Sequence, residues 1–364
     1  MAAPAGTSGA VSEPIPAAIV IVAHNGRQVL GECLNSVLSS NESPFDMKII
    51  VVDNGSTDGS PDFVATQFPT VDLVRCTKNL GFAGGNNIGW EHIQIHYPSV
   101  RYIGLLNQDT VVQSGWLSAL AMYMEDHPVI GAAQAKVMLH PQTDHFNTAG
   151  NVSHFLAFGF TTACGQPDRG QFNQERKLGL VSGAAMAVRA DAVSRLGLFD
   201  ADFFGYLEDA DLSWKLRQLG YELAYVPDSV VYHKWHFKHD WRHYFLLERN
   251  RWFLLGTYYK TPTLLLLLPA MTIMEIGQIY FAWRKGVLRE KIRAWSFFLD
   301  RGNQLRLARR RRAAQQRRLI GDRRFIAPFI AKVDASELKG PLMRGLANPL
   351  FSIYWAAARR LICW

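Results

Sequence analysis

The sequence predicts an α/β protein built on a mostly parallel sheet, followed by a helical C-terminal module. Three observations predict it. Between residues 18 and 126, short apolar runs alternate with stretches of helical spacing. Most of these runs close on a polar string rich in Asn, Asp or Gly. Beyond about residue 240 the composition shifts to aromatic and leucine residues mixed with arginine.

The elements follow in order. Ala18–Ala23 is a β-rich run, and Gln28–Ser39 has helical spacing. Lys48–Val52 is a second strand, Pro61–Phe68 a helix, Val71–Cys76 a third strand and Gly84–His96 a helix. Arg101–Leu106 is a fourth strand, and Ser114–Asp126 a helix. Strands alternating with helices of this length make a sheet covered on both faces. From His140 to Leu178 the pattern is irregular. Order returns in Gly179–Val188, a helix at Glu208–Leu219 and a strand at Tyr221–Val226. These readings divide the chain into a disordered leader (1–17), a catalytic domain (18–240) and a module spanning 241–364.

The 364 residues are 48% hydrophobic, enough for one substantial core plus an appended module. The net charge of +8 is unevenly spread. Between Arg284 and Arg324, 15 Lys/Arg stand against 3 acids, so this stretch carries +12 and the remainder −4. Such asymmetry points to an anionic partner, either lipid or nucleic acid. Cys33, Cys76, Cys164 and Cys363 are widely spaced and contain no CxxC pair, which indicates reduced thiols and no zinc site. Met1–Pro16 has neither a basic nor an apolar segment of the kind a signal peptide needs.

In open α/β sheets, ligands gather at the carboxyl ends of the strands. The first strand ends in Ala23-His24-Asn25, and the second in Asp53-Asn54-Gly55-Ser56-Thr57-Asp58-Gly59. An acid there accepts hydrogen bonds from a base or ribose, although the same string also makes a turn that caps the next helix. The run Asn79-Leu80-Gly81-Phe82-Ala83-Gly84-Gly85-Asn86 opens a helix. Glycines allow close backbone approach, and a helix N-terminus favours anions. The fourth strand ends in Asn107-Gln108-Asp109, where one carboxylate suffices for a hard cation that also binds phosphate oxygens. Glu208-Asp209-Ala210-Asp211 opens a helix whose dipole favours acids, and adjacent carboxylates can also supply a general base. His233, downstream of the last strand, is a candidate metal ligand.

These strings, in this order, resemble inverting family 2 glycosyltransferases. The likeness is greatest to the rhamnosyltransferase-like branch of bacterial polysaccharide assembly. It covers Ala18–His236 and includes Val181-Ser182-Gly183-Ala184-Ala185-Met186 and Gly197-Leu198-Phe199-Asp200. The resemblance implies the Rossmann-like GT-A fold and a nucleoside-diphosphate sugar donor, dTDP- or UDP-linked. It implies that His24 and Asn25 flank the nucleotide, that Asp53 contacts the base, and that Gly81, Gly84, Gly85, Asn86 and Asn107 line the donor. It also implies Asp109 and His233 as ligands for Mg²⁺ or Mn²⁺ and Asp209 as general base, with Glu208 beside it. The usual metal motif has two acids around a spacer; here Asn107 takes the first position, leaving Asp109 as the ionised ligand.

Glu248-Arg249-Asn250-Arg251-Trp252 resembles the Q-x-x-R-W string of membrane-bound sugar-polymer synthases, which implies that Arg251 touches a diphosphate. An interfacial arginine reaching towards water is the alternative. Pro262–Trp283 is long enough to span a bilayer. Pro269 interrupts it, Glu275 and Gln278 lie within it, and cations flank both ends. The expectation is therefore a re-entrant or interfacial hairpin held at the cytoplasmic face, with Arg309-Arg310-Arg311-Arg312 on anionic lipids. A single transmembrane helix is the alternative. A lipid-linked or saccharide acceptor follows from that placement. A nucleic-acid-binding protein leaves the first 240 residues without a role. A nucleotidyltransferase would have more basic residues after the first strand.

Overall fold

A computed structural model describes residues 14–234, 243–333 and 343–364. The first 13 residues of the expected leader, together with Trp235, His236 and the boundary placed near Asp240, lie outside the described residues. The catalytic half runs β1 (Ile15–Ala23), α1 (Leu30–Leu38), β2 (Phe45–Asn54), α2 (Ser60–Gln67), β3 (Asp72–Cys76), α3 (Gly81–His96), β4 (Tyr102–Asn107), β5 (Thr110–Val112) and α4 (Trp116–Asp126). It continues through β6 (Ile130–Leu139), three short strands β7 (Phe146–Thr148), β8 (Asn151–Ser153) and β9 (Gly159–Thr161), then β10 (Arg176–Leu178) and β11 (Ala185–Arg189). Helices α5 (Ala190–Leu196) and α6 (Glu208–Gln218) and strand β12 (Glu222–His233) complete it. The first strand starts at Ile15, so the expected leader overlaps it by three residues.

The main sheet has the order β10-β12-β6-β11-β4-β1-β2-β3. Strands β3, β2, β1 and β4 are parallel, and β11 enters antiparallel between β4 and β6. One apolar layer, around Leu30, Leu34, Trp116 and Leu120, covers one face. A second, around Trp90, Ile93, Leu212 and Leu216, covers the other. Register then aligns the functional ends: Ala23 is opposite Asp53, and Val22 is opposite Asn107. The strand expected to end at Val226 continues to His233, because it pairs with β6 on both sides of a register shift between Val226 and Val230.

Among the described residues, six α-helices follow: α7 (Tyr244–Tyr258), α8 (Thr261–Arg284), α9 (Leu288–Phe297), α10 (Arg301–Arg317), α11 (Asp322–Phe325) and α12 (Asn348–Leu361). They share a core with the catalytic half. Trp214, on the rear of α6, stacks on Phe329 with centroids 5.0 Å apart and meets Tyr258, Tyr259 and Phe325 edge-on. Phe155 stacks on Trp355 at 4.6 Å.

The expected hairpin is replaced by one continuous 24-residue helix, α8. Proline inside a helix removes one hydrogen bond and disturbs the preceding turn. Here the helix continues through Pro269, and the Tyr354 hydroxyl of α12 donates to the Leu266 carbonyl in the turn before it. Helix α8 has two faces. Thr263, Leu267, Ala270, Met271 and Met274 are buried, whereas Leu265, Leu268, Ile273, Ile276, Tyr280 and Trp283 are exposed. The basic stretch also differs from its expected use on lipid. Arg310 pairs with Asp200 and Asp211, and Arg311 donates to the carbonyls of Gly256 and Tyr259, while Arg309 and Arg312 remain exposed.

Candidate active site

Asp53 is buried at the end of β2, with Oδ1 3.4 Å from the Ser56 backbone N–H. The neighbouring loop is tied to β1: the Asn25 N–H donates to Ser56 Oγ (3.0 Å), and the Thr57 N–H donates to Asn25 Oδ1 (2.9 Å). Half-buried His24 places Nδ1 3.1 Å from the Asn54 carbonyl, and its backbone exchanges two hydrogen bonds with the Gln108 amide (3.0 and 3.2 Å). His24, Asn25 and Asp53 therefore converge at the mouth between β1 and β2.

Across β1, chain reversal after β4 builds a second group. Strand β5 follows Asp109 directly and pairs antiparallel with β12, Thr110 facing His233. That pairing brings His233 Nε2 within 3.2 Å of Asp109 Oδ1. Asn107 Nδ2 lies 3.4 Å from the same ring nitrogen, and Asn147 Oδ1 faces His233 Nδ1 at 3.2 Å. Burial works against ionisation of Asp109, but the adjacent His233 outweighs it and holds the carboxyl below the usual carboxylate range. Among the described residues, no cluster of three or more His, Cys, Asp or Glu forms a complete cation cage. The pair fits a different kind of site, in which a cation takes one or two protein ligands and completes its shell with diphosphate oxygens.

The third group lies on α6. Gly183, just before β11, donates its N–H to Asp209 Oδ2 at 3.3 Å, and Asn107 donates its N–H to the Ala184 carbonyl at 3.0 Å. Asp209 is thus fixed to the same turn that borders Asn107. Glu208 is buried, and its Oε2 has no hydrogen-bond partner. Burial raises the pKa of Glu208, and the charge of Asp209 raises it further. Burial raises Asp209 less, because the N–H groups of Gly183 and Ala210 stabilise its anion.

Asp53 and Asp109 thus stand at the carboxyl ends of parallel strands with Glu208 and Asp209 at the start of α6, and Asp109 is shifted down while the α6 pair is shifted up. Residues 18–197 match the model of Glycosyl transferase family 2. The chain carries a family 2 glycosyltransferase domain. This glycosyltransferase is 28% identical over 236 residues to the N-acetylglucosaminyl-diphospho-decaprenol L-rhamnosyltransferase of Mycobacterium tuberculosis, covering 60% of this chain and 76% of the relative. It is 24% identical over 250 residues to Rhamnosyltransferase WbbL of Escherichia coli, covering 66% of this chain and 90% of that one. Among solved structures, its fold matches GalNAc-T7, crystallised with UDP, GalNAc and Mn²⁺, at a TM-score of 0.54 and 15% identity. That alignment covers 69% of this chain and only 49% of the other, and it speaks for the GT-A fold alone.

Several of the expected donor contacts have packing roles in the structure. A Cβ on Gly85 would lie 2.6 Å from Val22 Cγ1, and one on Gly84 would lie 2.7 Å from Leu80 Cβ. These glycines let α3 approach β1 and the preceding turn. Asn86 is buried and donates to the Phe82 carbonyl of its own helix. Gly81 has φ +75°, and its Cβ would meet the Phe204 carbonyl at 2.1 Å, so it admits the loop before α6. Arg251 is also corrected. It is buried, 1% exposed, in an ion cluster with Glu248, Glu275 and Lys291 among the described residues. Sequence reasoning missed Asn54, whose side chain bridges Asn79, Leu80 and Gly81. Its position directly after Asp53 was the available signal.

Proposed function

We propose that this glycosyltransferase inverts configuration while moving a sugar, such as rhamnose, from a nucleoside diphosphate to a lipid-linked saccharide. The observation that carries the reading is the arrangement around the end of β4: Asp109 with His233 on one side, Asp209 anchored to Gly183 on the other. His24, Asn25 and Asp53 hold the nucleoside at the β1–β2 mouth. Asp109 and His233, with the Asn107 amide beside them, would hold a divalent cation. When bound, that cation neutralises charge developing on the leaving group. Asp209 takes the proton from the acceptor hydroxyl, whose oxygen attacks the anomeric carbon opposite the leaving diphosphate. One displacement inverts the centre and needs no covalent enzyme intermediate. The rhamnosyl donor rests on likeness to the two rhamnosyltransferases, and the polyprenyl-linked acceptor on likeness to the Mycobacterium tuberculosis one alone.

Membrane docking rests on the exposed face of α8. By length and composition α8 can cross a bilayer, but one of its faces is packed on the protein. The opposite face enters one leaflet edge-on from the cytoplasmic side, and exposed arginines of α10 lie on anionic headgroups. A donor panel tests the reaction: purified enzyme, Mg²⁺ or Mn²⁺, and dTDP- and UDP-sugars, read by slow hydrolysis and thermal stabilisation. Failure of every dTDP- and UDP-sugar to stabilise the enzyme would overturn the donor assignment.

A further inference from the structure

The segment that delivers Asp209 to the site has an uncommon backbone. Phe204, Tyr206 and Leu207 adopt φ of 61°, 68° and 63°, the left-handed region that side chains other than glycine rarely occupy. Such residues persist only where the surroundings over-determine them. From the donor side, the Ala83 N–H at the start of α3 donates to the Phe204 carbonyl at 3.2 Å, beside the space Gly81 leaves.

From the other side the holding groups belong to α7, outside the matched catalytic domain. Asn250 is fully buried, and its Nδ2 reaches the carbonyls of Phe203 (3.1 Å), Gly205 (3.1 Å) and Tyr206 (2.7 Å). Its Oδ1 accepts from Arg249 Nε and Nη2 at 3.0 and 2.8 Å. This fixes which end of the amide faces the loop. Arg249 Nη2 also donates to the carbonyls of Asp202 (2.6 Å) and Phe203 (3.2 Å). Four of the five carbonyls from Asp202 to Tyr206, all but that of Phe204, are therefore gripped by two adjacent residues of α7.

We propose that Asn250, supported by Arg249, is a positioning residue for transfer: it clamps the 203–207 loop and so sets the aim of Asp209 at the acceptor hydroxyl. The proposal rests on the assignment of Asp209 as general base. It makes α7 part of the catalytic unit, distinct from the attachment role of α8. The donor pocket on β1, β2 and β4 does not depend on this clamp.

Asn250→Asp in the full-length enzyme is the sharpest probe. It keeps the shape and the oxygen that Arg249 grips, and it replaces the donor group with an oxygen facing three carbonyls. Misplacement on the ångström scale costs up to about a hundredfold in rate. The expected result is a kcat about 10- to 100-fold lower, with UDP or dTDP affinity within about twofold of wild type. Water reaching the displaced loop should move the acid limb of the pH–kcat profile to lower pH, and backbone amides of 203–211 should exchange faster. A merely structural role lowers the folded fraction but leaves the acid limb of the surviving enzyme in place. Wild-type kcat per folded enzyme, acid limb and amide exchange in Asn250→Asp would overturn the proposal. If that variant does not fold, Arg249→Lys, which weakens the grip on Asp202 and Phe203, should show the same pattern severalfold; no change there overturns it equally. Absence of transfer by the wild-type enzyme itself would refute the reaction assignment, whereas amide exchange tests the clamp independently.

Discussion

Replacing Glu275 of α8 with leucine distinguishes a helix packed on the protein from one surrounded by lipid. In the structure Glu275 pairs with Arg251 and sits 2.8 Å from Lys291, whose Nζ also meets Glu248; Arg251 lies 3.1 Å from Glu248. The four side chains are 15% exposed or less, and their charges balance. Removing one carboxylate leaves two buried cations sharing one anion. Breaking such a pair costs about 3–5 kcal/mol. A buried leucine returns about 1.5–3 kcal/mol. At the midpoints of these ranges the net expectation is a loss of about 2 kcal/mol. Were this face in hydrocarbon, removing the charge would instead stabilise the inserted helix by about 3 kcal/mol. The assay is denaturant unfolding in one detergent, followed by activity. Lys291→Met added to Glu275→Leu restores charge balance and should recover part of the loss, a coupling that a double-mutant cycle measures. Equal or greater stability of Glu275→Leu alone would refute the packed-face assignment.

Four further outcomes follow from the site and the surface. Asp209→Asn should abolish transfer while nucleotide affinity stays near wild type; retained activity there, with loss in Glu208→Gln, would move the base by one residue. The base works ionised and burial raises its pKa, so kcat/KM should fall as pH drops through the neutral range, at higher pH than an ordinary aspartate would give; a limb near pH 4 contradicts this. Chelation should remove activity, and Asp109→Ala should weaken metal-dependent nucleotide binding; full turnover in excess chelator sinks the cation site. The protein should stay on vesicles in high salt and leave with detergent, and single cysteines at Lys260 and Gly286 should both react from the cytoplasmic side; reaction of one only from the opposite side would show that α8 crosses.

The parallel strands were legible because β-branched runs such as Ile19–Ile21 and Ile49–Val52 are bounded by turn-forming strings. Strand β6 was not. All ten of its residues are buried, so Ile130–Leu139 lacks alternation, and Gln134 and Lys136 interrupt its apolar run. The pairing of Asp109 with His233 joins residues far apart in sequence through the β5–β12 ladder, and no local pattern encodes it. Arg251 looked available for a phosphate because only Glu248, one turn earlier on the same helix, is a local partner, whereas Glu275 and Lys291 join the cluster by helix packing. The glycine run was read as a ligand cradle, but side-chain contacts alone reveal that Gly85 makes room for Val22.

The aromatic stack behind α6 makes the molecule one melting unit. Trp214 lies five residues beyond Asp209 on the same helix, and Tyr258, Tyr259, Phe325 and Phe329 form its walls. Cutting the chain near residue 241 would leave Trp214, Phe155 and Phe203 facing water, so a shortened enzyme would expose a contiguous apolar patch. Heating or denaturant should disperse the sheet and the C-terminal helices in a single cooperative step. Evolution of the C-terminal helices is bound by the same rule, because any repacking against Trp214 is felt along the helix that carries Glu208 and Asp209.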